Sequence, residues 1–137
     1  MKKYLVLKEN GKFQEIYEED YKDSYSMLKE NVGGTLEVIS YIQCFQEKNI
    51  DLWIHDEGKL LDLLPTIALL DKEQIVDVIS GKIVFAKANE EGETIPLDDS
   101  DIFFIKSVVL NSKGFVQYRN PYTGTVLQNT VSLIRLQ

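Results

Sequence analysis

The chain has 137 residues, 44% of them apolar, with 22 Asp and Glu against 15 Lys and Arg. That is one ordinary domain, 1–137, with enough apolar material for a continuous core without disulfides or metal. A net charge of −7 argues against unspecific attachment to DNA or anionic membrane, and no apolar run approaches the roughly 18 residues that span a bilayer.

The opening "MKKYLVLKENGK" has too few consecutive apolar residues for a signal peptide, and the lone Cys44, with apolar neighbours, reads as a reduced, packed thiol. A cytoplasmic location is expected.

Two alternating apolar runs flank Asn10-Gly11, a pair suited to a tight turn, so residues 4–17 predict an N-terminal β-hairpin. Tyr21, Tyr25, Leu28 and Val32 then fall at helical spacing and stop at Gly33-Gly34, predicting a helix over about 21–32. Residues 35–45, rich in β-branched and aromatic side chains, predict a strand with Leu36, Val38, Ile42 and Cys44 on one face and Glu37 and Tyr41 on the other. Residues 50–55 predict a second strand, antiparallel to it, with Ile50, Leu52 and Ile54 on one side and Asp51, Trp53 and His55 on the other.

"DEGK" has the composition of a turn. After Pro65 a short apolar turn is expected, then a helix in which Asp71 and Gln74 form a capping box and Gly81 ends it. A strand follows over 82–87, and an extended piece over 94–97. Residues 101–114 fit either a buried strand or a helix opened by Ser100 or Asp101 and closed at Gly114, and the helix is preferred. "NPYTG" separates two final strands. The sum is an α+β domain with a mainly antiparallel sheet, two or three helices and a β-hairpin at each end.

Charge is unevenly spread. Every acidic residue lies at or before Asp101, so the first 101 residues balance at −11 and the last 36 carry only four cations, Lys106, Lys113, Arg119 and Arg135. That footprint is thin for nucleic acid, and direct binding to it is not expected. The basic segment more readily lies on an acidic face of its own fold or of a second copy.

His55, the only histidine, is the natural general base, but strand alternation turns Asp56 away from it and no Ser or Cys stands nearby as a nucleophile. One histidine and one cysteine leave out the usual zinc and iron sites, so no metal and no cofactor are expected. The carboxylates Glu90 to Asp101 lack the spacing of a calcium loop, and Asp98 to Asp101 equally suit a helix N-terminus. "VGGT" lacks the pattern of a phosphate-binding loop and follows a helix rather than opening one. Arg119 and Tyr122, in "YRNPYTG", form the best contact candidate of the C-terminal part.

The succession "LKENVGGTLEVI", "DLWIHDEGKLLDLLPTIALL" and "VISGKIVFA" resembles the family called domain of unknown function 3846, small proteins of bacteria, their phages and conjugative elements. The carriers are Val32, Gly33, Gly34 and Glu37, then Glu57, Gly58, Lys59 and Leu60, then Leu64, Pro65 and Gly81, over about residues 28–101. Two positions depart from the family pattern: Asp62 stands where a glycine is usual, with one extra residue before the proline, and Ile67 stands near the place of an asparagine. Residues 102–137, a basic extension with a hairpin, lie outside this region. The resemblance implies a small cytoplasmic accessory protein of a mobile element or phage.

Two functions are therefore weighed. One is a non-catalytic protein that binds a protein partner or a small ligand through Gly33, Gly34, Glu37, Glu57, Gly58 and Lys59, with pairing to a second copy left open. The other is a small hydrolase or transferase using His55 with Asp56 or Glu57. The first is preferred, and no catalytic residue is assigned.

Overall fold

A computed structural model describes residues 2–137. Strands β1 (Lys3–Leu7) and β2 (Phe13–Tyr17) make the expected N-terminal hairpin, and a single 3-10 turn, Glu18–Asp20, leads to helix α1 (Ser24–Val32). The Asp23 side chain accepts from Ser26 N and so opens α1, three residues later than the tyrosine spacing suggests. Gly33, at φ 88°, closes the helix in a left-handed conformation that glycine adopts at little cost.

The strand expected over 35–45 is only β3 (Leu36–Ile39). Beyond it Ile42 and Phe45, both 1% exposed, are buried at helical spacing around the one-turn helix α2 (Gln43–Gln46), so the chain leaves the sheet to fill the core. Strand β4 (Ile50–His55) pairs antiparallel with β3 and has the expected faces: Ile50, Leu52 and Ile54 are buried, while Asp51, Trp53 and His55 are half-buried.

The helix expected after Pro65 is absent. In its place β5 (Pro65–Asp71) and β6 (Gln74–Ser80) form a hairpin, turned by Lys72 and Glu73 at φ 50° and 67°. Two consecutive positive φ angles match the twist of a two-residue hairpin loop. The spacing of Asp71 and Gln74 mimics a capping box, but the two residues instead pair across the ladder.

Strands β7 (Ile83–Ala88) and β8 (Thr94–Ile95) and helix α3 (Asp99–Leu110) follow. Helix α3 is capped by Asp98 rather than by Ser100 or Asp101: the Asp98 side chain accepts from Asp101 N, and the Asp101 side chain accepts from Asp98 N. It ends before Gly114, which already belongs to β9 (Lys113–Arg119); β10 (Val126–Arg135) completes the C-terminal hairpin.

Two sheets result where a single one was expected. The first runs β2-β1-β7-β4-β3, all antiparallel, with β8 beside the end of β7; the second runs β6-β5-β10-β9, with β5 and β10 parallel. Leu5, Leu7, Leu52 and Phe85 of the first pack with Ile67, Leu69, Ile79 and Ile134 of the second, and with Ile105 and Val109 of α3, in one core. The other face of the first sheet, Tyr4, Val6, Val84 and Ala86, is covered by Met27, Leu28 and Val32 of α1. The domain is thus α+β with three helices and ten strands among the described residues.

Cys44 packs against the main core, and burial raises its thiol. The acidic stretch before α3 has a structural use, since Asp101, 5% exposed, pairs with Lys87 at 3.2 Å. Two of the four late cations reach acids of the earlier chain: Lys106 lies 3.6 Å from Glu15 and Arg135 lies 2.7 Å from Glu73.

Candidate functional site

A cleft of about 350 Å³ opens where β3, the edge of the first sheet, faces β6, the edge of the second. Alternation decides what enters it. Glu37 and Ile39 of β3 and Tyr41 just beyond it line the cleft, and along β4 and its following turn Ile54 and Asp56 do. From β6 come Asp77 to Ser80, from the turn after β4 come Gly58, Lys59 and Leu60, and from the loop between β9 and β10 comes Tyr122. Ile39, Ile54 and Ile79 belong to the main core and back the cleft, whose accessible lining is mainly polar. The volume lies at the lower end of the usual range for small-molecule sites, about 300–1,000 Å³, and the lining is more polar than is usual there.

The turn after β4 is held at both ends. A β-carbon at Gly58 would lie 2.9 Å from Ser80 O, so only glycine lets this turn sit so close to β6. Lys59 Nζ donates to Asp77 Oδ1 at 2.5 Å, and Asp77 also accepts from Val78 N at 2.8 Å. Burial, the largest single influence, lowers the Lys59 ammonium, but the hydrogen bond and charge of Asp77, with Tyr118 and Tyr122, together leave the group raised.

Asp62 fastens the turn to the C-terminal loop. It takes φ 54°, and its carboxylate accepts from Asn120 Nδ2 at 2.9 Å, Thr123 Oγ1 at 2.6 Å and Thr125 Oγ1 at 3.0 Å. The Thr123 hydroxyl first, then those of Thr125 and Asn120, hold this carboxyl below the usual range. Asn120, fully buried, also donates to Lys59 O and accepts from Tyr122 N, which fixes Tyr122 at the rim.

Glu37 and Asp56 both line the cleft, and the Lys59 ammonium lies near enough to act against the rise of Glu37. Partial dehydration against the cleft wall, then the neighbouring Asp56 carboxylate, raise the Glu37 carboxyl. None of the chain's ion pairs among the described residues includes either group. Ser80, 4% exposed, lies in the wall, and its hydroxyl has no hydrogen-bond partner.

His55 is differently placed. It lies on the α1 side of β4 with Trp53; its ring rests against Gly34, and its Nδ1 accepts from Glu57 N at 3.0 Å. His55 is also among the residues that line the cleft. No three of the His, Cys, Asp and Glu side chains among the described residues come together as a metal-ligand set.

Of the residues singled out in the sequence, Glu37, Gly58, Lys59 and Tyr122 meet in the cleft. Gly33 caps α1, Gly34 receives the His55 ring, Glu57 supplies a backbone N–H to His55, and Arg119 donates to Gly124 O at 3.0 Å within its own loop. Asp77, Ser80 and Tyr41 were missed. The first two fell in the expected helix; the β-branched run "IVDVIS" was the signal for a strand that carries them to the cleft. A second, broader and more apolar groove of about 680 Å³ lies between Cys44, Leu70, Val108 and Leu133, with Gln43, Glu47 and Arg135 also lining it.

A family model described as domain of unknown function (DUF3846) matches residues 1–109, which takes in the N-terminal hairpin and nearly all of α3 and leaves β9 and β10 outside. The shared region is therefore wider than the motifs at 28–101 suggested. No curated protein and no solved structure matches the chain. With some four-fifths of its length matched, the chain belongs to the DUF3846 family.

Proposed function

We propose that this is a non-catalytic binding protein whose site is the cleft between β3 and β6, and that it serves as a cytoplasmic accessory protein of a bacterial mobile element or phage. The observation that carries the binding reading is the gathering of Glu37, Asp56, Lys59, Asp77, Tyr41 and Tyr122 around one cleft of about 350 Å³. A pre-formed concave pocket of this size, lined mainly by polar side chains, favours a small ligand over a protein partner. The accessory role rests on the family resemblance alone.

Catalysis through His55 gains no support from the geometry. Its ring lies against Gly34, its Nδ1 is taken up by Glu57 N, and Asp56 belongs to the opposite side of the strand. The test is a screen of the full chain with small polar fragments, read by amide chemical shifts. Shifts are expected to converge on residues 37–41, 54–60, 77–80 and 122, and His55→Ala is expected to leave them in place. Hits that collect instead in the groove beside Cys44 would overturn this reading.

A further inference from the structure

We propose that the free edge of β9 is a docking surface for an extended, acidic peptide segment of another protein, which joins the second sheet as a fifth strand. This surface is separate from the cleft and does not depend on it.

Strand β9 ends the order β6-β5-β10-β9, and neither a strand nor an isolated bridge pairs with its outer side among the described residues. The ladder to β10 fixes which backbone groups are left over. Leu133 N donates to Ser112 O and Asn120 N donates to Thr125 O, so in this register the even-numbered residues from 112 to 120 bond towards β10. In an antiparallel pair such residues alternate with others whose N–H and C=O point away from the partner. Lys113, Phe115, Gln117 and Arg119 therefore offer their N–H and C=O groups to a further strand. The side chains of the same four residues are all exposed, Phe115 to 67%, whereas Val116 is buried on the other face.

The charge of this edge selects the occupant. Lys106 and Arg135 reach acids of the earlier chain, but neither Lys113 nor Arg119 belongs to an ion pair among the described residues. These two cations stand on one face of β9, about 20 Å apart at the usual rise of a strand. No acidic side chain follows Asp101, so nothing on the hairpin itself repels an incoming carboxylate. Each outward-bonding residue lies directly opposite one residue of an added strand, so acids six positions apart meet both cations while apolar residues between them meet Phe115.

Two other occupants fit less well. Two copies of β9 paired along their full length about Val116 would set Lys113 opposite Arg119 at both ends, like charge against like. A nucleic acid would meet the two cations but leave the row of backbone groups unpaired.

The experiment titrates the full chain with the acetylated and amidated peptide Glu-Thr-Val-Thr-Val-Thr-Glu, which reads the same in either direction, following amide shifts by NMR. Its comparators carry Lys in place of both Glu, or N-methyl groups on both valines, and a single-stranded oligothymidine is the fourth probe. The acidic peptide is expected to move residues 113–119 and to bind at least about tenfold more tightly than the lysine peptide, a difference of about 1.4 kcal/mol. N-methylation, which removes the N–H groups that would donate to β9, is expected to abolish binding. Lys113→Glu combined with Arg119→Glu, both at exposed positions, is expected to leave Tm little changed and to reverse the preference between the two charged peptides. Silence of residues 113–119, equal binding of the acidic and lysine peptides, binding that survives N-methylation, or a preference that survives the double substitution overturns the proposal. So does tighter binding of the oligothymidine at β9, or self-association through residues 113–119 without any peptide.

Discussion

Gly34 lies against the imidazole of His55 so closely that a β-carbon built on it would fall 2.0 Å from Nε2. The glycine is thus the complement of the histidine: it lets the ring lie flat on the chain leaving α1, with Nδ1 turned to Glu57 N. Gly34→Ala must displace the ring or the strand that carries it, and is expected to cost about 1–3 kcal/mol in urea unfolding. In a His55→Ala background the same substitution should cost much less, and additive effects of the two changes would contradict the contact.

The Asp62 carboxylate gathers three donors from residues 120–125, and so ties the turn after β4 to a loop some sixty residues later. Asp62→Ala is expected to loosen that loop while the two sheets stay folded. Trypsin should then cut after Arg119 faster than in the parent chain, with Tm little changed. Unaltered cleavage would show that Asn120, through Lys59 O, is enough to hold the loop.

Asp98 opens α3, and the Ser100 hydroxyl first, then Asp101 N, lower its carboxyl to about 2. Its unfolded value is higher, near the ordinary 3.8, so its contribution to stability is present above that value and is lost as pH falls towards 2. Asp98→Ala is expected to cost about 1 kcal/mol at neutral pH, the usual worth of an N-cap, and the gap between parent and variant should close between about pH 4 and pH 2. Denaturant unfolding across that range measures it; a gap independent of pH would assign the effect to something other than the carboxylate.

The elements legible in the sequence are those fixed by short-range signals. Asn10-Gly11 marks one hairpin, Gly33 ends α1, and alternation in 50–55 sorts Ile50, Leu52 and Ile54 from Trp53 and His55. The β5–β6 hairpin was hidden because its cues are tertiary. "PTIALL" is buried on nearly every residue and so shows no period, and Lys72-Glu73 turns the chain without the Asn or Gly that usually announces such a turn. The end of β3 was hidden likewise: Ile42 and Phe45 suit a strand as well as a helix until the core they fill is known.

The site inherits this unevenness. Glu37, Gly58 and Lys59 lie beside local turn and strand signals, and Tyr122 lies in a recognisable turn. Asp77 and Ser80 come into view only once residues 74–80 are the strand β6, the sheet edge that faces β3. The glycine-to-Asp62 departure finds its sense only in Asn120, Thr123 and Thr125, all beyond the family match.

The place of β10 bears on the order in which the protein is made. It lies between β5 and β9, pairing in parallel with β5 some 65 residues earlier in the chain, so when residues 65–80 leave the ribosome the β5 edge has no partner. That edge stays open, with its backbone N–H and C=O groups unpaired, until residues 126–135 have been synthesised. Tyr122 and the loop that closes the cleft arrive in the same late stretch, so completion of the second sheet and of the ligand site coincide. Contacts of such long range predict slow folding, with the half-built sheet open to aggregation in the interval.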